Sequence, residues 1–265
     1  MLDQIWNTII LGIVQGVAEW LPISSTGHLR LAEHFLGLSL PILFDVTLHI
    51  GTLIVIFVFF RRDIKNILSA LVHLDFKSES GQLVPLILVG TIPTAVIGLA
   101  FSDVIESTFR QVLPIAAALL VCGAMLYSSK IARERTGTIS YSTALIFGVA
   151  QGIAIIPGIS RSGTTIAVAL LLGLKRERAF KFSFLLSIPA VIGALGLTFY
   201  REHAALALAG FGLNEILVGA AIAMLVGYAA LNLLHRIIEN KKLHLFAFYC
   251  WGLGASLVVL SLMGF

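Results

Sequence analysis

Residues 15 to 28 read QGVAEWLPISSTGH, and residues 157 to 165 read PGISRSGTT. In the first stretch Gln15 and Glu19 are four apart, so a helix would show both on one face. Pro22 ends that helix, because proline lacks a backbone N–H and disfavours helix in the residue before it. Ser24, Ser25 and Thr26 follow, then Gly27 and His28. A carboxylate, hydroxyls and an imidazole in this order can do proton and nucleophile chemistry. Glu19 can hold a divalent cation, with Gln15 beside it, or deprotonate a partner. His28 is a candidate general acid or base. Ser25, with Ser24 second, is the candidate nucleophile. Capping a new helix is an equal use for these hydroxyls.

The second stretch is built alike, with Pro157 before a turn that holds Ser160, Arg161, Ser162 and Thr165. A guanidinium deep in apolar surroundings costs about 3 kcal/mol or more, so Arg161 needs a partner. Its planar fork suits phosphate oxygens; a structural ion pair with Glu19 is the alternative. If Ser24 or Ser25 caps one helix and Ser160 or Ser162 another, two helix N-termini point into one cavity. Such ends carry unpaired N–H groups and positive dipole, and they favour a phosphate. Gly27, Gly158 and Gly163 let the backbone come close to a ligand.

The elements that position these groups are membrane helices. Of 265 residues 58% are hydrophobic and only 12% charged, half the charge of a soluble domain, and the mean hydropathy is +0.99. Six segments are long and apolar enough to cross a bilayer: 43–60, 85–102, 113–129, 182–200, 216–234 and 245–263. Nothing shows the alternating ten-residue segments of a membrane β-barrel. The net charge of +4 lies in short loops between spans, which favours a cytoplasmic charge bias over nucleic acid as its cause. Cys122 and Cys250 fall in apolar spans and suggest core packing. The N-terminal MLDQIWNTII lacks a basic region and reads as retained structure.

Segments 4–38 and 142–173 are apolar but broken at LPISSTGH and IIPGISRSG. Each is short for two full crossings. The loops at 130–141 and 174–181 are both basic, so the chain between them should enter and leave on one side, as a re-entrant hairpin. With both segments read so, fourteen basic residues share the cytoplasmic face against Arg30, Arg110 and Arg201 opposite, and both termini lie outside the cytoplasm. A shift of 136 residues superposes Gly12, Gln15, Gly16, Ile23, Ser24 and Gly27 on Gly148, Gln151, Gly152, Ile159, Ser160 and Gly163. Each half is then a hairpin plus three spans, and an odd number of spans inverts the second half. The expected architecture is one all-α transmembrane domain over 1–265, with repeats over about 4–129 and 142–264.

These residues carry a family resemblance. QGVAEWLPISSTGH and PGISRSGTT resemble the two signature motifs, (E/Q)xxxE-x-L-P-x-SSTGH and PGxSRSxxT, of the BacA-type undecaprenyl-pyrophosphate phosphatases. The resemblance extends over essentially the whole chain. It implies an integral enzyme of the bacterial cytoplasmic membrane that removes the terminal phosphate of undecaprenyl pyrophosphate. That reaction recycles the lipid carrier for peptidoglycan synthesis and confers bacitracin resistance. The family's functional positions map onto Gln15, Glu19, Ser25, His28, Ser160, Arg161 and Thr165. The family's cofactor is Ca2+ or Mg2+; Gln15 stands where many members carry Glu and brings an amide to it. The partners expected are the lipid pyrophosphate, membrane lipid and a second copy in a homodimer, with no nucleic acid.

On this reading Arg161, the two hydroxyl-rich turns (Ser24, Thr26 and Gly27; Ser160, Ser162 and Thr165) and a divalent cation hold the pyrophosphate. Ser25 or a water attacks, and Glu19 and His28 manage protons, in a site open to the extracytoplasmic side. Architecture alone would favour transport, by a lipid flippase or a secondary transporter of an anion; the discriminating feature is the Glu/Ser/His/Arg set, which exceeds what binding an anion needs. Asp45 and His49 lie four apart in the first span and either satisfy each other or face the same cavity. His34, His73, His203, His235 and His244 sit near span ends or in loops, and 73–82 reads as a polar cytoplasmic loop.

Overall fold

A computed structural model of the chain describes residues 2–38, 40, 42–109, 111–208 and 213–263. They form eleven α-helices: α1 (Leu2–Trp20), α2 (Ser25–Phe35), α3 (Ile42–Phe59), α4 (Arg61–Val72), α5 (Glu79–Thr108), α6 (Val112–Ser128), α7 (Tyr141–Ile153), α8 (Arg161–Leu171), α9 (Arg176–Leu208), α10 (Leu213–Glu239) and α11 (Phe246–Leu262). Among the described residues the β-type pairing is one isolated bridge, Thr136 to Leu174. Arg110 lies outside the described residues, as do the side chains of 202–208, including His203.

Helices α5, α6, α9, α10 and α11 are long and apolar enough to cross a membrane, and α3 joins them if its bent continuation α4 is counted. These are the six segments expected. Their outer faces are apolar: Leu88, Ile92, Val96 and Leu99 of α5 follow one another at helical spacing, each 60 or 61% exposed. Water would not tolerate that face; lipid does.

Helix α4 is not evident in the hydropathy pattern. It leaves α3 at 78° and sets Arg61, Arg62 and Lys65 beside exposed Leu68, Leu71 and Val72. That is the composition of a helix lying along a membrane interface. The turn after it is fixed by Asp75, whose carboxylate accepts the backbone N–H groups of Ser78 (3.2 Å) and Lys77 (3.1 Å). Those bonds hold its carboxyl below the usual carboxylate range.

The two broken segments are helix pairs, α1 with α2 and α7 with α8, each pair packed on itself. Helices α7, α2 and α8 have 13, 11 and 11 residues. They reach about 20 Å or less, short of a hydrocarbon core about 30 Å thick. Packing follows the sequence repeat. Helix α1 lies along α10 as α7 lies along α5, and α10 packs on α3 as α5 packs on α9.

The repeated glycines explain themselves here. A Cβ on Gly12 would meet the Gly219 carbonyl oxygen at 2.9 Å, and one on Gly148 the Gly90 carbonyl oxygen at 2.0 Å. Their i+4 partners Gly16 and Gly152 are equally tight against Ala223 and Ile97. These are small-residue faces that let helix backbones touch, as membrane helices use in place of a hydrophobic drive. Gly148→Val should therefore force α5 and α7 apart and cost about 3 kcal/mol or more. A thermal melt in detergent checks it, and a melting temperature like that of the wild type would contradict the contact.

Candidate functional site

Both breaks follow from their prolines and serines. Ser24 caps α2, its Oγ accepting the Gly27 N–H (3.4 Å), and Ser160 caps α8, accepting the Gly163 N–H (3.1 Å). Of the two capping choices in each turn, the first serine is used both times. Ser24 has φ +73°, a region where a residue other than glycine is strained by about 1–3 kcal/mol. Its Oγ also accepts the N–H of Gly158 at 2.9 Å, so the strained residue ties the first break to the second. Ser162 Oγ donates to the Trp20 carbonyl at 3.0 Å, crossing the other way. The two breaks, 136 residues apart in sequence, meet in space.

Glu19 is the hub of that meeting. It is 7% exposed. Its Oε1 pairs with Arg161 Nη2. Its Oε2 accepts Ser25 Oγ–H at 2.6 Å and Gln15 Nε2–H at 3.1 Å, with His49 Nε2 3.6 Å away. The ion pair between Glu19 and Arg161 thus forms, and it forms alongside a serine hydroxyl that donates to the same carboxylate. Ser24 Oγ already accepts two N–H groups, so Ser25 carries the hydroxyl that points at the carboxylate.

His28 is held elsewhere. Its Nδ1 lies 2.8 Å from the Ser24 carbonyl, an acceptor only, so Nδ1 must donate. In the neutral ring Nε2 then accepts, and at 2.7 Å it meets the Tyr249 hydroxyl, whose ring stacks on it at 5.7 Å. Sequence reasoning missed Tyr249, which lies 221 residues away with no motif around it. Tyr249→Phe should release Nε2 and lower turnover by up to about tenfold, the worth of one net hydrogen bond. A pH–rate profile with the limb assigned to His28 unmoved would contradict the pairing.

His49 faces Glu19, while its Nδ1 lies 2.8 Å from the Asp45 carbonyl and so donates to it. Ser160 and Ser162 lie beside the site, their hydroxyls 3.2 Å apart. Thr165 is spent within its own helix, donating to the Arg161 carbonyl at 2.9 Å. Thr26 is exposed and takes no part in this network. The thiols of Cys122 and Cys250 are buried and free; Cys122 accepts the Ser160 N–H and Cys250 touches the Pro22 carbonyl.

A divalent cation on Gln15 and Glu19 fits this arrangement poorly. Gln15 turns its NH2 toward Glu19, both carboxylate oxygens are engaged, and a guanidinium stands against one of them. Among the described residues no group of three or more His, Cys, Asp or Glu is placed to hold a metal.

The fold and site define a class: a polytopic helical membrane protein whose buried polar centre is assembled from two broken helix pairs. A family profile described as "Bacitracin resistance protein BacA" matches residues 8–256, and the chain belongs to that family. Similar proteins include the undecaprenyl-diphosphatase of Methanosphaera stadtmanae, 43% identical over 99% of this chain and 100% of that one. Those of Halothermothrix orenii and Carboxydothermus hydrogenoformans are 42% and 41% identical, over 97% and 98% of this chain and 98% of each relative.

Proposed function

We propose that the chain is a polyprenyl-pyrophosphate phosphatase that cuts the terminal phosphate from undecaprenyl pyrophosphate and returns the lipid monophosphate to cell-wall synthesis. The names of its relatives and its family support this. The observation that carries it at the site is the Ser25 hydroxyl donating to Glu19, whose other oxygen holds Arg161. Binding an anion for transport would need the cation and the helix ends; it would not need a serine set on a carboxylate.

The reaction follows from that geometry. Glu19 takes the Ser25 proton as Oγ attacks the terminal phosphorus, and the bond to the bridging oxygen breaks. The bridging oxygen leaves on the lipid monophosphate and takes its proton from His28, which does this as the imidazolium, protonated on Nε2 as well as Nδ1, with the Tyr249 hydroxyl then accepting from Nε2. Water then hydrolyses the phosphoserine: His28, neutral after the first step, takes the water's proton as its oxygen attacks phosphorus, and Glu19 returns its proton to Ser25 as the Ser25–phosphorus bond breaks. Arg161 and the N-termini of α2 and α8 hold the phosphoryl oxygens as charge develops there. Ser24 and Gly27 shape one wall, and Ser160 and Ser162 the other.

In this proposal the short helix pairs are re-entrant hairpins that enter from opposite faces, in a bacterial cytoplasmic membrane. The site opens to the extracytoplasmic side, and bacitracin resistance follows from faster recycling of the carrier. The Ca2+ or Mg2+ is assigned to the pyrophosphate, which offers more oxygens than the one engaged carboxylate does, and no step above depends on it. Purified protein should release one inorganic phosphate per polyprenyl pyrophosphate, assayed with and without EDTA. Absence of release under every metal condition would contradict the proposal.

A further inference from the structure

At the end of the bundle where α6 runs into a 3-10 turn (Ser129–Ile131), α9 begins and α10 turns into α11, a cavity of about 410 Å³ opens. Lys130, Arg133, Arg176, Lys241 and His244 line it, with Glu134 as its one carboxylate. Glu134 is taken by Arg176, Oε1 to Nε 3.1 Å. Lys130 stands 5.5 Å over the Tyr127 ring. Among the described residues neither it nor Arg133 or Lys241 has a carboxylate within ion-pair reach. His244 Nδ1 is buried with no hydrogen-bond partner. Like charges gathered around one cavity repel one another unless an anion fills it.

The cavity is built on fixed backbone. The loop that carries Arg133 and Glu134 is pinned to the α8–α9 turn: Arg135 N–H donates to the Gly173 carbonyl (2.7 Å) and Lys175 N–H to that of Thr136 (2.9 Å). Its surroundings tell what kind of anion fits. Ile131, next to Lys130 in the chain, is 77% exposed, Leu245, next to His244, is exposed too, and Phe248 follows one turn on at 57%. The rings of Tyr127 and Phe248 meet edge to face at 6.1 Å on the adjoining flank of α6 and α11. A charged headgroup in the cavity would therefore have exposed apolar side chains next to its basic lining in the chain, at the ends of two spans.

We propose that this cavity is a binding site for the phosphate of an anionic phospholipid, separate from the catalytic site. Basic pockets between spans at the interface bind such headgroups. The site is independent of the phosphatase reading, and its loss should leave phosphate release unchanged.

Native mass spectrometry of the purified full chain, titrated with phosphatidylglycerol or phosphatidylcholine, tests it. The expected result is one retained phosphatidylglycerol in preference to phosphatidylcholine. Arg133→Ala with Lys241→Ala should weaken retention by about tenfold or more. Arg61→Ala with Lys65→Ala, the same loss of charge on α4, should leave it within about twofold. Lys130→Gln, an exposed single change, should act in the same direction as the first pair, and melting temperatures verify that each variant is folded. Equal loss from both pairs, equal retention of phosphatidylcholine, or competition by inorganic phosphate without retained lipid would each overturn the proposal.

Discussion

Glu19→Gln is expected to cut phosphate release by about a thousandfold, within the range of a lost general base. The amide cannot take the proton that Ser25 now directs at Oε2 from 2.6 Å. The change is isosteric, so the hydrogen bonds from Ser25 and Gln15 to the side-chain oxygen persist, while the ion pair with Arg161 is lost; a melting temperature beside the activity verifies that the variant is folded. Steady-state phosphate release by purified variants is the measurement. Because the loss is one of proton acceptance, it should fall on kcat more than on KM. Activity within tenfold of the wild type would remove Glu19 from the chemistry and leave it as a structural partner of Arg161.

Arg161→Ala should lower release by a similar or larger factor, about 10³ to 10⁵, the worth of an arginine on a transferring phosphoryl group. It should also destabilise the protein, because the buried Glu19 carboxylate loses its partner. Breaking such a pair costs about 3 kcal/mol at the low end of the range, a fitting end because the Arg161 side chain is still 23% exposed. The two effects separate in a double variant. Glu19→Gln with Arg161→Met removes both charges, so the melting temperature should recover while activity stays lost. Arg161→Lys should rescue stability in part and turnover little, since a lysine cannot reproduce the planar fork. Near wild-type release from Arg161→Ala would end the clamp role.

The sequence makes some of this legible because local chemistry specifies it. Pro22 and Pro157 stop helices whatever surrounds them, and Ser24 and Ser160 cap the next ones through bonds that span only three residues. The span count follows from hydropathy, which acts residue by residue. What the sequence hides is tertiary. The hydrogen bond from Tyr249 to His28 joins positions 221 apart. The strained φ of Ser24 is sustained by an N–H from Gly158 in the other half. Helix α4 escapes a hydropathy reading because an interfacial helix alternates charged and apolar faces and its average is unremarkable. Glycines 12 and 148 stand out as a repeat, but only the approach of α10 and α5 shows why no side chain fits there. Thr165, singled out by resemblance, bonds to its own helix, which a motif cannot reveal.

The central claim is that the two breaks form one site that hydrolyses a lipid pyrophosphate. The most direct test places the purified chain in proteoliposomes that carry undecaprenyl pyrophosphate, with inorganic phosphate and intact lipid in each leaflet followed together. Multiple turnovers, each yielding one phosphate and one lipid monophosphate, and their loss in Glu19→Gln, are the predicted result. Intact pyrophosphate lipid moving between leaflets with no phosphate released would contradict it.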